Sequence, residues 1–334
     1  MSRASFTILG TGSWGSVMGA HLQNAGHDVI SWHFIPEEAE EYQRTRKHPF
    51  LDGFSFPKGL EITSDLTEAL SGGEIIVLAV PSQIVRSVVG QANNLLQGRP
   101  IVNLAKGIEQ RTLKRMSEVI MEVADYSPDK VATISGPSHA EEVMVNVPTT
   151  LVAASTNLDL ARELQKQLST EFLRVYASGD IVGVELGGSV KNVIAIGAGI
   201  CVGLGFGDNA MAALVTRGMT EITRLGVALG ADVYTFAGLS GIGDLVVTVY
   251  SRHSRNRRLG LEIGQGRKLA DVQADMEMVA EGVFSAQSVM DLATNLNVEM
   301  PICREVYRIL FEDKDPRRAI TDLMTRDLRD ETLP

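Results

Sequence analysis

Short runs of apolar, often β-branched residues alternate with polar stretches of helical spacing through the first half of the chain. They predict strands over 6–9, 28–32, 75–79, 101–104, 131–134 and 150–153. Runs of that length, separated by helical stretches, are what a parallel sheet covered by helices produces. A helix over 159–164 and a last strand over 172–176 follow, and near Asp180 the pattern changes. From 182 to 231 apolar residues occupy nearly every helical face in the middle third, which places this stretch at a domain centre. Two domains are expected, 1–180 built on a sheet and 181–334 built of helices, and 334 residues suffice for two cores of ordinary size. There is no repeat of fixed period, and the charged stretch 325–334 reads as a frayed end.

Composition then removes several classes. With 44% hydrophobic and 22% charged residues the chain resembles neither a disordered nor a fibrous protein. Its formal charge of −10 argues against a nucleic-acid partner, because neutralising phosphates takes a basic surface or stripe. An anion is expected to bind only at a local site. Cys201 and Cys303 are far apart and no CxxC spacing occurs, so neither a disulfide framework nor a metal site is expected. The apolar uncharged stretch 192–207 is glycine-rich and shorter than the ~20 apolar residues of a bilayer span. The apolar run before Gly10 is too short for a secretory signal. A cytoplasmic protein without a membrane span is the expectation.

The first predicted strand runs directly into Gly10-Thr11-Gly12-Ser13-Trp14-Gly15, and a helical stretch and a second strand follow. In a GxGxxG loop the first glycine allows the tight turn and the second lets a pyrophosphate approach the backbone. The third lets the helix pack on the strand, and the helix N-terminus faces the anion. An ordinary strand-to-helix turn is the competing reading, and the motif alone does not separate NAD from FAD. The residue that reads the adenosine ribose is expected at the end of the second strand, among Ser31, Trp32, His33 and Phe34. None is acidic, which leaves room for NADP. No arginine precedes Arg44 there, so His33 is the one cationic candidate, and its alternative is a loop imidazole with no ligand. If His33 reads a 2′-phosphate, preference for NADPH should grow as the pH falls toward ~6.5. The loops 79–82, 105–107 and 135–138 close other strands and are candidate site walls.

Within the long apolar stretch, Glu185, Gly188, Ser189, Asn192 and Ile196 share a helical face, and Lys191 is the only lysine. A lysine in such surroundings must snorkel, pair or work, and a desolvated ammonium of lowered pKa suits proton transfer at an alcohol or carbonyl oxygen. Lys106, at a strand end, carries the same ambiguity. Further on, Gly241-Ile242-Gly243-Asp244 and Thr248 precede Ser251-Arg252-His253-Ser254-Arg255-Asn256-Arg257-Arg258. Guanidinium forks with serine and asparagine donors match a phosphate, although a solvated basic loop would read the same way. The scattered histidines give no support to a Ser-His-Asp or Cys-His arrangement.

Taken in order, these segments resemble the soluble NAD(P)-dependent glycerol-3-phosphate dehydrogenases of bacteria over nearly the whole chain. The resemblance is carried by the glycine loop, Ala105-Lys106-Gly107-Ile108-Glu109, Ser135-Gly136-Pro137-Ser138-His139-Ala140, Val184-Glu185-Leu186 and Lys191-Asn192. Gly241-Ile242-Gly243-Asp244-Leu245, Ser254-Arg255-Asn256 and Val279-Ala280-Glu281-Gly282 complete it. It implies an α/β chain, a Rossmann-type mostly parallel sheet domain followed by an all-α substrate domain. It also implies NAD or NADP as cofactor and interconversion of dihydroxyacetone phosphate and sn-glycerol 3-phosphate for phospholipid synthesis. Carried over, Lys191 is the proton donor and acceptor, and Lys106, Gly136, Ser138, Asn192, Asp244, Thr248, Ser254, Arg255 and Asn256 bind substrate. Gly10, Gly12, Ser13, Trp14, Gly15, His33, Lys106, Ala140, Arg255, Val279 and Glu281 bind cofactor. Many members carry one or two arginines where this chain has His33-Phe34, so the choice between NAD and NADP stays open. The family also suggests a homodimer, and closure of the two domains would exclude water from the hydride path. A 3-hydroxyacid dehydrogenase of similar build is the competing enzyme. A nucleotide-binding redox sensor without turnover is the reading if Lys191 points away from the site.

Overall fold

The structure, a computed structural model, describes residues 3–276, 278–328 and 330–331, so part of the stretch expected to fray lies outside the described residues. Eight strands form one sheet: β1 (Ser5–Leu9), β2 (Asp28–Trp32), β3 (Glu61–Thr63), β4 (Ile75–Leu78), β5 (Ile101–Asn103), β6 (Val131–Ser135), β7 (Thr149–Ala154) and β8 (Leu173–Ser178). Their order is β3-β2-β1-β4-β5-β6-β7-β8, parallel throughout except between β6 and β7. The strands are apolar runs because both faces are covered. Ile8 and Val77 point into one core with Phe6, Leu22 and Phe56, while Leu9, Ile76 and Leu78 point into the other with Val85, Val119 and Ile120. β1 lies between β2 and β4, where the winding of the sheet changes direction, and ligands of such sheets sit beyond the strand ends at that point. This is a Rossmann-type sheet. The strand that sequence reading missed, β3, has three residues at the sheet edge.

The chain divides into two compact units, Met1–Ala105 with Met116–Ile181, and Lys106–Arg115 with Val182–Pro334. The segment after β5 thus packs among the helices of the second unit. Ile108 is fully buried in its core, and Ser288 Oγ donates to Ile108 O at 3.1 Å. The helical stretch expected over 182–231 is two helices, Ile181–Gly203 and Asp208–Ala228, interrupted where Gly205 adopts a φ of +80°. The first has the length and hydropathy of a membrane span, but 83% of its apolar window is buried inside the protein. Gly199 and Gly260 bring it against the helix Arg255–Gly264: a Cβ on Gly199 would stand 2.0 Å from Arg257 O, and one on Gly260 2.0 Å from Ile196 O.

Glu221, buried in Asp208–Ala228, accepts from Ile302 N (2.6 Å) and Cys303 N (3.0 Å), at the start of the helix Pro301–Phe311. It supplies acceptors to otherwise unpaired first-turn amides. Burial raises its carboxyl from the ordinary 4.5 to about 7, against the pull of those amides. The folded chain therefore holds this proton more tightly than the unfolded chain. The stability contributed is full below 4.5 and is lost as the pH rises through about 7. Glu221→Gln should flatten the decline in stability between about pH 5 and about pH 7.5, a difference on the order of 3 kcal/mol. Denaturant midpoints across that range check it. An unchanged decline would remove Glu221 as its source.

Candidate active site

In the first unit β1 delivers the glycine loop to the helix Ser13–Asn24. Gly10 has a φ of +113°, and a Cβ there would stand 2.6 Å from Ala79 O. A Cβ on Gly15 would stand 2.1 Å from Gly10 O, so both positions require glycine for packing. Gly12 differs. Nothing lies within 4 Å of its would-be Cβ, no side chain caps the helix that follows, and its first turn carries no acid. Open space in front of an uncapped helix N-terminus fits a dinucleotide pyrophosphate. Trp14 packs partly buried on the core beside the loop. In the same unit Gly136 has a φ of +130° and accepts from Ser138 Oγ at 2.9 Å, and Ala140 opens the turn Ala140–Val143.

His33 departs from the expected role. It is buried, its Nδ1 accepts from Thr11 Oγ1 at 2.5 Å and its Nε2 donates to Glu38 Oε2 at 2.9 Å. Burial pushes the imidazole below its usual pKa, against the pull of Glu38. A neutral ring with both nitrogens engaged is not a free cation for a 2′-phosphate, and the expected rise of NADPH preference in acid loses its basis. The acid that engages His33 is Glu38, which lies beyond the strand end. It stands in the first turn of the helix Pro36–Thr45, and the signal for it was that helix's acidic start.

The second unit holds the titrating cluster. Helix Ile181–Gly203 carries Lys191, the helix Asp244–Tyr250 carries Asp244 and Thr248, and the segment after β5 brings Lys106. Asp244 receives both ammonium groups, Lys106 Nζ on Oδ2 at 2.7 Å and Lys191 Nζ on Oδ1 at 2.8 Å. Burial alone would raise Asp244. The two lysines outweigh it and hold the carboxyl below its usual range. Lys191 is pushed down to about 8, first by burial and then by Lys106, while Asp244 pulls the other way. Its second hydrogen goes to Thr248 Oγ1 at 2.6 Å, and Thr248 in turn donates to Asp244 O at 2.6 Å. An ammonium has three hydrogens, so one N–H of Lys191 has no acceptor among the described residues. The π-helical turn Leu239–Gly243 that introduces Asp244 was not foreseen. Its Ser240 O would stand 2.3 Å from a Cβ on Gly187, so the turn lies tight against the lysine helix.

Beside this cluster Asn256 Nδ2 donates to Asn192 Oδ1 (3.0 Å), and its own Oδ1 accepts from Gly282 N (2.9 Å). Ser254 caps the helix Arg255–Gly264 by accepting from Arg257 N. Exposed Arg255 stands at that helix start and donates to Val279 O at 3.2 Å, next to the segment that leads to Glu281. A helix N-terminus, a guanidinium and a serine together suit an anion. A further, partly buried pair, Arg115 to Glu185 at 2.7 Å, ties the segment after β5 to the lysine helix, and no sequence spacing indicated it. No His/Cys/Asp/Glu group suited to a metal occurs among the described residues.

Two family models match this chain, the NAD-dependent glycerol-3-phosphate dehydrogenase N-terminus over 5–161 and C-terminus over 180–321. A glycerol-3-phosphate dehydrogenase (NAD(P)+) of Prosthecochloris aestuarii is 52% identical over 97% of this chain and 99% of its own length. One from Salinibacter ruber is 50% identical over 98% and 97%. The crystal structure of glycerol-3-phosphate dehydrogenase from Coxiella burnetii superposes with a TM-score of 0.93 at 37% identity, covering 97% of this chain and 99% of that one. A D-mandelate dehydrogenase with a TM-score of 0.61 at 14% identity shares the fold alone. The chain belongs to the NAD-dependent glycerol-3-phosphate dehydrogenase family.

Proposed function

We infer that this protein reduces dihydroxyacetone phosphate to sn-glycerol 3-phosphate, and catalyses the reverse oxidation, with Lys191 as the group that gives and takes the proton. The observation that carries the reading is the third N–H of Lys191, left open in a buried cluster that fixes the other two. Family membership supports the substrate, and it disfavours a 3-hydroxyacid dehydrogenase or a sensor without turnover. When bound, NAD(P)H supplies the hydride that attacks the carbonyl carbon of the substrate. As charge develops on the carbonyl oxygen, Lys191 donates its open N–H and then its proton to that oxygen, and Asp244 holds the ammonium in place. In oxidation the neutral amine takes the hydroxyl proton. A pKa of about 8 lets one group serve both directions near neutral pH.

Lys106, Asn192, Asp244, Thr248, Ser254, Arg255 and Asn256 are the proposed substrate contacts in the second unit, with Arg255 nearest the phosphate, and Gly136 and Ser138 those in the first. Gly10, Gly12, Ser13, Trp14, Gly15, Lys106, Ala140, Arg255, Val279 and Glu281 are the proposed cofactor contacts. Supply of glycerol 3-phosphate to phospholipid synthesis in the cytoplasm, by a homodimer, belongs to the same proposal.

Loss of nicotinamide absorbance on mixing the protein, NADH or NADPH and dihydroxyacetone phosphate tests the reaction. No turnover with either cofactor would sink it. Arg255→Ala should lower kcat/KM for the phosphorylated substrate by a few kcal/mol, at ~1.5–3 per charge-assisted bond. With the cofactor held saturating, so that the cofactor contact of Arg255 does not enter, it should leave unphosphorylated dihydroxyacetone nearly unaffected. Equal losses on both substrates would remove Arg255 from the phosphate.

A further inference from the structure

We propose that the end of β2 selects NAD(H) over NADP(H), with Glu38 as the residue that reads the 2′ position of the adenosine ribose; this rests on the dinucleotide reading of the glycine loop. Glu38 is coupled to that loop. Its Oε2 accepts from His33 Nε2 at 2.9 Å and from Tyr42 OH at 3.2 Å, and His33 Nδ1 accepts from the hydroxyl of Thr11, the residue between Gly10 and Gly12. Oε1 has no hydrogen-bond partner among the described residues, and the side chain is 45% exposed. One carboxylate oxygen is thus anchored and the other is open to a ribose hydroxyl. An acid in this part of a Rossmann-type fold accepts from the 2′-hydroxyl of NAD and repels a 2′-phosphate.

The surroundings reinforce the choice. The helix Pro36–Thr45 bears Glu37, Glu38, Glu40 and Glu41 against Arg44 alone, a negative surface for a phosphate to approach. Arg46, just beyond it, is turned onto Leu60 O at 2.6 Å. His33 is neutral and engaged. Phe34, 66% exposed where an arginine would form the fork for a 2′-phosphate, presents an apolar ring instead, a face suited to the adenine.

Dissociation constants for NADH and NADPH, from titrations of nicotinamide fluorescence without substrate, test this independently of turnover. NADH should bind the wild type at least ~10-fold more tightly than NADPH, a difference of ~1.4 kcal/mol. Glu38→Gln, which keeps an acceptor for His33 and Tyr42 but removes the charge, should shrink that ratio about tenfold, mainly by tightening NADPH. Equal or tighter binding of NADPH by the wild type overturns the proposal, and so does a ratio that Glu38→Gln leaves unchanged. Failure of both dinucleotides to bind would overturn the underlying dinucleotide reading as well.

Discussion

Replacing Lys191 by alanine lowers kcat for dihydroxyacetone phosphate reduction by ~10²–10⁴-fold, the scale of a lost general acid, and leaves NADH affinity essentially unchanged. The separation of the two effects follows from position. Lys191 belongs to the cluster with Asp244 and Thr248 in the second unit, whereas the pyrophosphate is assigned to the glycine loop of the first. Lys191→Arg sharpens the test, because a guanidinium keeps the charge but does not give up its proton near neutral pH. That variant should lose rate in both directions together, since the same proton is given in reduction and taken in oxidation and the reaction equilibrium ties the two values of kcat/KM. Steady-state kinetics in both directions with a parallel binding titration measure this, and an alanine variant with near-wild-type kcat would refute the assignment.

Asp244→Asn is expected to damage both activity and stability. The carboxylate is the shared counter-charge for two ammonium groups at 2.7 and 2.8 Å, and the amide leaves both cations without it. Breaking a buried pair in this way costs ~3–5 kcal/mol, part of which the site recovers by releasing a proton from a lysine. Lys191, already lowered to about 8, loses the main influence holding it up and falls further. Reduction needs its protonated form, so the alkaline limb of kcat/KM moves to lower pH in the variant. A thermal melt and a pH profile read the two effects separately. A variant with the wild-type alkaline limb would show that Asp244 does not govern the lysine.

How much of this was visible in the sequence depends on the range of the interaction. β2 occupies the predicted 28–32, and β1, β4, β5, β6, β7 and β8 lie within a residue or two of their expected bounds, because a strand buried on both faces is a continuous apolar run. β3 has three residues, Glu-Ile-Thr, and too little period to register. The glycine loop was legible because its geometry is local. Lys191 drew attention by being a lone charge in an apolar helix, but its partner Asp244 and the second lysine on that carboxylate are contacts across 53 and 138 positions. No spacing rule reaches so far, and only the resemblance gathered them. His33 shows the opposite error. Its place at a strand end suggested an exposed cation, and only three-dimensional packing reveals the acid of the next helix and the threonine of the preceding loop closing on both its nitrogens.

In the proposed reaction a buried lysine titrating well below its ordinary range protonates the substrate oxygen. The pH dependence of kcat/KM for dihydroxyacetone phosphate reduction, followed from about pH 7 to about pH 10 with saturating NADH, reports the acid of the enzyme–NADH complex that meets the substrate, above the phosphate titration near ~6. The expected result is a plateau near neutrality that falls through a single ionisation at about 8, the value for Lys191. A profile that stays flat to about pH 10, as an ordinary lysine near 10.5 or a metal-free hydrogen bond from an arginine would give, contradicts it.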